Sequence, residues 1–529
     1  MKIMLVCNIS NRDLVKDISS SQYLFKAMKN WVESVELAWN KMASVTTNGA
    51  RALNELVHLD LKGAPLCLSY LEKVLPLFRT FGATGLLIEY EDTFPYQDDL
   101  KTIRAPHAYS EDNIKDILKL AEDNNLEVIP LVQTFGHLEF VLKHQQFAAL
   151  REIKKYPMAL CPSHHDSVTI VCKMIDQVIK LHPQVKHFHI GCDEVYHLGL
   201  CEACTQRMIK ESLTKDQLFF GHVRNVAKHI KAHYDSITVI IWDDMLRYSE
   251  MSIILNCGLG DLVEPMVWHY LPKFILPASL WDNLSAVFPN IWIASAFKGA
   301  TGPKSVITNI LYHLDNNNSW LDTVQLVKRK FKNIKGIAVT GWQRYDHYAI
   351  LCELLPQGLP SLAICLKAIQ QGTLGPNDLG QVAKELKFLT PIPFNPFISP
   401  EIPICEFPGS EIYQLTIEYV HTEAAYNELF ALDGMTAWMH EYNVQRKFIN
   451  PVHVEPLLGR AISILDSYHS LDKKIQATFR HVFVDGVEEE WRACFITPSI
   501  QRLEAFMEKA RSLLYSDPET ALCEEMNVE

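Results

Sequence analysis

The sequence lacks several signatures that would place it in a large functional class. It has no apolar run near the roughly 18 residues of a membrane-spanning helix, because even the longest apolar stretches, such as residues 237–242, are far shorter. It has no excess of positive charge: 50 Lys and Arg stand against 62 Asp and Glu, and a net charge of −12 disfavours binding to phosphate backbones and anionic lipid headgroups. No GxGxxG or GK[ST] motif follows the first predicted strand, which argues against nucleotide binding. Nucleic acid and membranes are therefore not expected partners.

Cysteine usage and the N-terminus bear on the compartment. The 13 cysteines are odd in number and spread from Cys7 to Cys523, unlike the dense, even set of a disulfide-stapled secreted domain. The first residues, MKIMLVCNIS, contain only a short apolar run of about five residues, against the roughly 7 to 15 of a secretory signal peptide. We therefore expect a cytoplasmic protein, with a nuclear share left open.

Short apolar runs alternate with stretches of helical periodicity between residues 55 and 342. The runs are rich in β-branched residues and continuously hydrophobic, which is typical of parallel strands covered by helices on one face and by a packed interior on the other. Eight such runs lie at residues 56–61, 85–90, 128–132, 187–191, 238–242, 262–268, 291–297 and 336–342. Helical stretches at 68–81, 110–125 and 167–181 separate them. The pattern predicts an α/β fold, a (β/α)8 TIM barrel, with an open doubly wound sheet as the alternative.

The chain divides into three predicted regions. Residues 1–50 form an N-terminal extension without a clear fold, and residues 51–375 hold the barrel, which we expect to be catalytic. Residues 376–529 form a helical C-terminal region around the proline-rich segment PIPFNPFISPEIPIC.

Polar and aromatic side chains cluster where the predicted strands end. In a parallel barrel the carboxyl ends of all strands meet at one face, and the active site lies there. The candidates at these ends are Asp60; Glu89, Glu91 and Asp92; Gln133 and His137; Asp193 and Glu194; Trp242, Asp243 and Asp244; Trp268, His269 and Tyr270; Lys298; and Trp342, Gln343, Arg344, Tyr345 and Asp346. Because carboxylates bind sugar hydroxyls and tryptophan rings stack on sugar faces, this ring predicts a pocket for a neutral carbohydrate.

The segment HFHIGCDEVYHLG leads from the fourth predicted strand directly into Asp193 and Glu194. Two carboxyls this close resist double ionisation, so we expect one to keep a raised pKa and to serve as a general acid near neutral pH. Adjacent residues at a strand end point in different directions, however, and are poorly placed to flank an anomeric carbon as nucleophile and acid. A substrate-assisted path fits better: the 2-acetamido oxygen of the sugar attacks C1, one acid protonates the leaving group, and its neighbour holds the amide N–H.

These motifs resemble glycoside hydrolase family 20, the β-N-acetylhexosaminidases, and in particular its non-lysosomal branch. HIGCDE matches the His-x-Gly-x-Asp-Glu signature, and LVHLDLKGAP, GLLIEYEDTFPY, IPLVQTFGHLEFVLKH, SAFKGATGP and TGWQRYDHY extend the similarity over about residues 52–370. The resemblance implies a retaining enzyme that removes terminal GalNAc or GlcNAc from glycoconjugates through an oxazolinium intermediate, without metal or cofactor. It implies that Glu194 is the general acid/base and that Asp193 orients and polarises the acetamido group.

The same resemblance implies which side chains contact the sugar. The expected aromatic walls and floor are Trp242, Trp268 and Trp342, and the further candidates for contacts are Asp60, His137, Asp243, Tyr345 and Asp346. Lys298 is expected to be a solvated loop charge.

The sequence departs from the family at three positions. Asp60 stands where the lysosomal-type enzymes use an arginine for the outer hydroxyls, ASAFKG lacks the usual tyrosine toward the acetamido oxygen, and the last strand reads Trp-Gln-Arg in place of Trp-x-Glu. The choice between gluco and galacto sugars therefore stays open, although this branch is understood to favour N-acetylgalactosaminides.

Two other functions stay open on the sequence alone, and so does the formation of a homodimer. A non-catalytic barrel would bind an amino sugar through the same aromatic walls. A classical retaining glycosidase would use an acid from another strand as its nucleophile and would accept sugars without the acetamido group.

Two histidine-containing groups have the chemistry of metal ligands. His187 and His189 lie two apart on one predicted strand, but packing and hydrogen bonding explain them better. His197 with Cys201 and Cys204 lacks a fourth ligand and a second Cys-x-x-Cys, so we expect surface thiols and no metal there.

Overall fold

The eight predicted strands close into a parallel barrel in the computed structural model, which describes residues 53–515. The barrel strands are β1 (Asn54–Asp60), β2 (Gly85–Glu89), β3 (Glu127–Leu131), β4 (His187–His189), β5 (Thr238–Trp242), β6 (Val263–Trp268), β7 (Asn290–Lys298) and β8 (Asn333–Gly341). Their order around the ring is β1-β8-β7-β6-β5-β4-β3-β2, and all neighbours pair in parallel. The prediction of a (β/α)8 barrel is confirmed, and the alternative of an open doubly wound sheet is wrong. The predicted extension at residues 1–50 lies outside the described residues.

Both faces of the barrel strands are buried, as their continuous hydrophobicity predicts. Inside the ring, a closed core is formed by Leu56, Leu87, Ile129, Leu131, Ile240, Trp242, Met266, Trp292, Ala294 and Ala338. The outer faces pack against the surrounding helices in a second, larger cluster. The rings of Trp268 and Trp342 pack against the inner core at the carboxyl ends of their strands, so the floor at this face of the barrel is aromatic.

Helices follow the strands as the periodicity predicts. They are α1 (Leu68–Phe81), α2 (Glu111–Asp123), α3 (Glu139–Leu142), α4 (Ser167–Leu181), α5 (Glu202–Glu211), α6 (Lys215–His233), α7 (Asp244–Arg247), α8 (Met251–Asn256), α9 (Ala278–Ser285), α10 (Ile310–Val327), α11 (Leu355–Gln371), α12 (Pro376–Glu385), α13 (Ser410–Ala431), α14 (Glu441–Gln445), α15 (Pro451–Thr478), α16 (Val487–Phe495) and α17 (Thr497–Leu514). Shorter helical turns lie at Glu91–Thr93, Asp98–Ile103, Gln145–Leu150, Pro396–Ile398, Gly434–Trp438 and Phe479–His481. Capping boxes at Ser110 and Thr214 begin α2 and α6, and Gly82, with a left-handed backbone, ends α1.

An antiparallel hairpin, which the sequence analysis did not identify, lies between β3 and β4. Its strands are Arg151–Ile153 and Tyr156–Leu160. The hairpin is fastened to the loop after β3, because the Leu160 N–H donates to the Phe135 carbonyl at 3.1 Å and the Leu138 N–H donates to the Met158 carbonyl at 3.0 Å. The hairpin therefore supports the loop that carries His137.

The C-terminal region is helical, as predicted, and it packs directly on the barrel. The Cys67 N–H donates to the Val482 carbonyl at 2.8 Å, and the Tyr70 hydroxyl donates to the Pro408 carbonyl at 3.1 Å. The C-terminal region thus contacts the end of the β1–α1 connection and the first turn of α1. None of the helices between residues 53 and 515 combines the length and the apolar character needed to cross a membrane.

Candidate active site

A cavity of about 240 Å³ opens at the carboxyl ends of the barrel strands. Its lining residues are Lys62, Glu89, Glu91, Gln133, His137, Asp193, Glu194, Trp242, Trp268, Tyr270, Gly299, Ala300, Trp342, Arg344 and Tyr345. TIM-barrel enzymes have their active sites at this face. Seven of the ten predicted site residues line the cavity; the other three, Asp60, Asp243 and Asp346, do not.

The loop after β4 carries Asp193 and Glu194, and part of its backbone has a conformation that residues other than glycine rarely adopt. Gly191, Cys192 and Glu194 have φ angles of 65°, 73° and 50°, in the left-handed region. Such a conformation costs a residue with a side chain about 1–3 kcal/mol, so the surroundings must hold it. One support is visible: the Asp244 carboxylate accepts the Glu194 N–H at 2.9 Å.

The loop after β3 approaches the two acids closely. A Cβ atom on Gly136 would lie 2.0 Å from the Asp193 carbonyl oxygen, so only glycine fits at this position. His137 follows with a φ of 51°. Its Nε2 lies 3.2 Å from Glu194 Oε2 and 3.6 Å from Asp193 Oδ2. Both carboxylates therefore contact one imidazole nitrogen and lie side by side.

The three groups differ in proton affinity. Burial raises the pKa of Asp193 to about 6, with His137 opposing the rise and the charge of Glu194 adding to it. Burial also opposes the charged form of His137, yet Asp193 and the hydrogen bond to Glu194 together raise its pKa to about 10. For Glu194, hydrogen bonds from His137 and Tyr196 outweigh burial and bring the pKa below its ordinary value. Near neutral pH, His137 is therefore an imidazolium beside an ionised Glu194.

The expectation of one raised carboxyl pKa applies to Asp193, whereas the general-acid role was expected for Glu194. The difference has a physical cause. The side chain of Asp193 is only 11% exposed, whereas that of Glu194 is 32% exposed and hydrogen bonds to the imidazole. Adjacency alone indicates that the two pKa values separate, but burial and the position of His137 decide which one rises.

Trp242, Trp268 and Trp342 line the cavity. The ring centroids of Trp242 and Trp342 are 6.3 Å apart with an interplanar angle of 54°. Trp268 stacks on Tyr270 at 5.1 Å and 25°. Tyr270 was among the strand-end candidates but had no assigned role, and its place two residues after β6 is the sequence signal for it.

The Asp243 carboxylate supports an aromatic wall and does not reach the cavity. It is fully buried, accepts bonds from Arg247 at 2.8 and 2.5 Å, and accepts the Trp268 N–H at 3.2 Å. The Arg247 guanidinium in turn lies 5.3 Å from the centroid of the Trp268 ring. Its neighbour Asp244 accepts the indole N–H of Trp268 at 3.3 Å. The predicted sugar contact of Asp243 is thus replaced by a role in holding Trp268.

The carboxylates of Asp60 and Asp346 also accept hydrogen bonds from other groups of the protein. Asp60 accepts the Lys62 N–H and ammonium group, each at 3.1 Å, and the Gln343 N–H at 3.0 Å. Asp346 accepts the N–H groups two and three residues further along the chain, at 2.7 and 3.0 Å. These bonds stabilise the loops after β1 and β8, although those of Asp346 use only Oδ1. Neither Asp60 nor Asp346 lines the cavity.

Lys62 lines the cavity although the sequence analysis did not select it. Its Nζ lies 3.1 Å from Asp60, 3.7 Å from Glu91 and 5.2 Å from the centroid of the Trp342 ring. Burial disfavours the ammonium, but the neighbouring carboxylates hold its pKa well above the ordinary value. Lys62 lies two residues beyond β1, and that short distance is the signal that would have identified it.

Further polar residues of the lining were strand-end candidates without an assigned role. Glu89 contacts His58 at 3.3 Å and accepts the Gln133 amide at 3.4 Å. Arg344 forms an ion pair with Glu490 of α16. The C-terminal region therefore fixes one cationic side chain of the cavity wall.

Lys298 is a buried structural residue, and the prediction of a solvated loop charge is wrong. It is 2% exposed, and its ammonium group donates to the carbonyls of Gly341, Trp342 and Glu353 at 2.8–2.9 Å. Because Gly341 and Trp342 lie at the end of β8 and Glu353 lies shortly before α11, Lys298 ties this strand end to the far end of the loop that follows it.

The histidines of β4 serve packing and hydrogen bonding, as expected. His189 accepts the Gly191 N–H at 3.0 Å and lies 4.4 Å from the Trp242 ring, while His187 contacts Glu127 at 2.7 Å. Within residues 53–515, neither belongs to a group of side chains spaced to hold a metal ion.

Solved structures with similar folds include β-N-acetylhexosaminidases. The enzyme from Bacteroides fragilis NCTC 9343 gives a TM-score of 0.47 at 15% identity, over 63% of this chain and 70% of that chain. The GH20 exo-β-N-acetylglucosaminidase from Vibrio harveyi gives 0.46 at 14% identity, over 63% and 56%.

Sequence relatives are much more similar. Human hexosaminidase D is 42% identical over 464 residues, which are 86% of this chain and 93% of the relative. Bovine hexosaminidase D is 49% identical over 325 residues, which are 61% of this chain and 93% of the relative. The glycosyl hydrolase family 20 catalytic domain matches residues 69–277, which include β2 to β6 and both adjacent acids. With this match inside the barrel and a 42% identical relative covered almost end to end, the chain belongs to glycosyl hydrolase family 20 and is a glycoside hydrolase.

Proposed function

We propose that the protein is a retaining exo-β-N-acetylhexosaminidase that removes terminal GalNAc or GlcNAc from glycoconjugates by substrate-assisted catalysis. The observation that carries the proposal is the contact of Asp193 and Glu194 with one nitrogen of His137, at 3.6 and 3.2 Å. Carboxylates side by side on one wall are poorly placed to attack and protonate from opposite faces of a sugar ring. The attacking oxygen is then supplied by the acetamido group of the substrate. The names of the human and bovine relatives support the same activity.

Asp193 orients the acetamido group in this proposal. Its Oδ2 faces His137, whereas its buried Oδ1 has no hydrogen-bond partner within the described part of the chain. An ionised carboxylate accepts the acetamido N–H, which directs the carbonyl oxygen at C1. As positive charge develops on the oxazolinium ring, the attraction to Asp193 grows, so the interaction stabilises the transition state more than the ground state.

Glu194 transfers the proton, with His137 as its source. In the first step the acetamido oxygen bonds to C1, the bond from C1 to the leaving oxygen breaks, and Glu194 protonates that oxygen. In the second step Glu194 accepts a proton from water, the water oxygen bonds to C1, and the oxazolinium ring opens with net retention. Because the pKa of Glu194 is lowered in the free site, the proton rests on His137 until bound substrate excludes water. It then crosses the 3.2 Å hydrogen bond to Glu194, and the proton that Glu194 takes from water in the second step returns to His137 by the same bond.

The size of the cavity supports an exo-acting enzyme. At about 240 Å³ it is smaller than the roughly 300–1,000 Å³ of typical drug-sized ligand sites, which suits a single terminal sugar. Trp242, Trp268 and Trp342 line the cavity and supply the aromatic surface on which the C–H patches of that sugar pack in this proposal.

The division of labour between the acids is tested by leaving-group dependence. For Glu194→Gln we expect kcat/KM, which reports the first step, to fall about 10²–10⁴-fold on alkyl glycosides and much less on dinitrophenyl glycosides, whose leaving groups need no proton. Asp193→Asn should slow both classes alike, because the attack itself is impaired. Glu72→Gln, on the exposed face of α1, is the control and should change neither. Equal losses for Glu194→Gln on both leaving groups would remove the acid role.

The acetamido requirement and the choice of epimer are tested with aryl β-GalNAc, β-GlcNAc and β-glucoside in parallel. We expect turnover of at least one amino sugar, none of the glucoside, and inhibition by a thiazoline analogue of the oxazolinium ion. Turnover of the glucoside at a comparable rate would favour a classical mechanism with a carboxylate nucleophile from another strand. Binding of amino sugars without turnover would favour a non-catalytic barrel.

A further inference from the structure

A second cluster of reactive side chains involves the segment that follows the catalytic loop, the loop after β4 that carries Asp193 and Glu194. The ligand atoms of Glu152, Cys161, Cys201 and Cys204 all lie within 4.8 Å of one another. Cys161 Sγ is 3.4 Å from Cys201 Sγ and 3.6 Å from Cys204 Sγ, and Glu152 Oε2 is 3.2 Å from Cys204 Sγ. Three thiols and one carboxylate thus converge on one point.

The fold brings these residues together from two distant segments. Glu152 lies on the hairpin, Cys161 directly follows it, and Cys201 and Cys204 begin α5. Cys201 is the N-cap of α5 and accepts the Cys204 N–H at 3.3 Å, so both sulfurs face the same side of the helix terminus. Cys-x-x-Cys at the start of a helix is a spacing that structural zinc sites use.

The distances fit a tetrahedral metal site better than a disulfide. A disulfide requires sulfurs about 2.05 Å apart, well below the 3.4 and 3.6 Å separations here. Zinc–sulfur bonds of about 2.3 Å at tetrahedral angles separate two sulfurs by about 3.8 Å, close to the observed values. Four ligands fill the coordination sphere, which is typical of structural zinc.

The buried carboxylate is an independent reason to expect a cation. Glu152 is 2% exposed, and no ion pair within residues 53–515 involves it. Its Oε1 accepts the N–H groups of Leu200 and Cys201 at 2.6 and 2.9 Å, which leaves Oε2 directed at the thiols. A buried carboxylate without a positive partner is costly, and a divalent cation among the thiols supplies that partner.

The expectation of surface thiols in this region was wrong for Cys204. Cys204 is fully buried, so it is not a surface thiol. The side chains that join Cys201 and Cys204 are Glu152 and Cys161, whereas His197 stacks on Tyr156 at 4.8 Å. No local spacing motif links Cys161 to the Cys-x-x-Cys pair 40 residues later, so only the fold could reveal the site.

We propose that Glu152, Cys161, Cys201 and Cys204 bind one structural zinc ion, with the cysteines as thiolates. The metal clamps the segment that follows Glu194 onto the hairpin, and the hairpin is hydrogen bonded to the loop that carries His137. Zinc thereby stabilises the relative position of the acid and its proton donor without touching substrate.

Metal content of the full chain is the primary test. Protein produced without chelators, and with any histidine tag removed, should contain about one zinc per chain by mass spectrometry. After chelation under reducing conditions, cobalt should restore the intense thiolate-to-metal charge-transfer and d–d absorption of a tetrahedral thiolate site. Thiol titration should show three cysteines that react only after chelation. Zinc-free protein that also gives no cobalt spectrum would overturn the proposal.

Variants locate the metal. Cys161→Ser, Cys201→Ser and Cys204→Ser should each lose most of the zinc, whereas Cys494→Ser, a half-buried cysteine of α16, should keep it. Glu152→Gln should weaken retention against a chelator, and Glu152→Cys should preserve the metal as a four-thiolate site. Full zinc in both Cys201→Ser and Cys204→Ser would refute the assignment. These measurements need no substrate, so they are independent of the proposed hydrolase mechanism.

Discussion

The opposite proton affinities of the adjacent acids predict opposite effects of isosteric substitutions on stability. For Asp193 the pKa rises from an ordinary 3.8 to about 6, about two units, and each unit corresponds to about 1.4 kcal/mol. Ionised Asp193 therefore costs the folded protein roughly 3 kcal/mol. Asp193→Asn removes that cost and should raise the free energy of unfolding near neutral pH by up to this amount.

The sign follows from linkage. A carboxyl whose folded pKa is raised contributes stability that is present below its unfolded pKa and is lost as the pH rises through about 6. The advantage of Asp193→Asn over wild type should thus be full near pH 8 and fall to roughly half near pH 5. The pKa of Glu194 is lowered, so its ionised form stabilises the fold and Glu194→Gln should be less stable than wild type near pH 8.

Urea unfolding followed by tryptophan fluorescence measures both variants and wild type at each pH. The pair is matched, because both substitutions replace a carboxylate by an amide at neighbouring positions of one loop. If Asp193→Asn were less stable than wild type near pH 8 while Glu194→Gln were more stable, the assignment of the two pKa shifts would be reversed and the proton could not rest where we place it.

Three further results are expected. In pH profiles, kcat/KM should fall below about pH 6, where Asp193 takes up a proton, and above about pH 10, where His137 loses one. A profile in which kcat/KM falls only on the alkaline side, and already near neutral pH, would contradict the assignment of these two groups. Gly136→Ala should reduce kcat sharply, because its Cβ would lie 2.0 Å from a backbone oxygen, whereas Gly459→Ala, with open space around it, should be harmless; equal kcat values would show that the loop yields. Lys298→Met should lower the free energy of unfolding, and with it the urea midpoint, because three carbonyls lose their shared donor. Each carbonyl that stays buried and unpaired costs about 1–3 kcal/mol, and an unchanged midpoint would refute this.

The sequence predicts the barrel and the location of its site for a simple geometric reason. Continuous apolar runs with helical crossovers allow few other folds, and parallel closure brings the ends of distant strands to one face. Asp193, Trp242 and Trp342 are thus brought together although long stretches of chain separate them. The short strand β4 is predictable for the same reason: the repeat places it even where only His187–His189 is paired.

The position of a polar residue at a strand end does not predict whether its side chain lines the cavity. Asp60 ends β1, yet its carboxylate is bound by Lys62 and by the Gln343 N–H, and the lysine takes the place at the cavity. Arg344 faces the cavity with the support of Glu490, 146 residues away. Such pairings depend on long-range contacts that no local pattern encodes.

The conformation of the catalytic loop affects the proton affinities of both acids. Left-handed conformations at Cys192 and Glu194 are individually unfavourable, and a loop that relaxed them would move Glu194 away from His137. Without that hydrogen bond, only the one from Tyr196 would still oppose burial, so the pKa of Glu194 would rise, and the change in the position and charge of Glu194 would alter the pKa of Asp193 as well. The supports from Asp244, from Gly136 and from the proposed zinc ion therefore act on the pKa values as much as on the shape of the loop. A substitution at Asp244, at Gly136 or at a ligand of the proposed zinc ion should therefore shift the pH below which kcat/KM falls, even in a variant that stays folded.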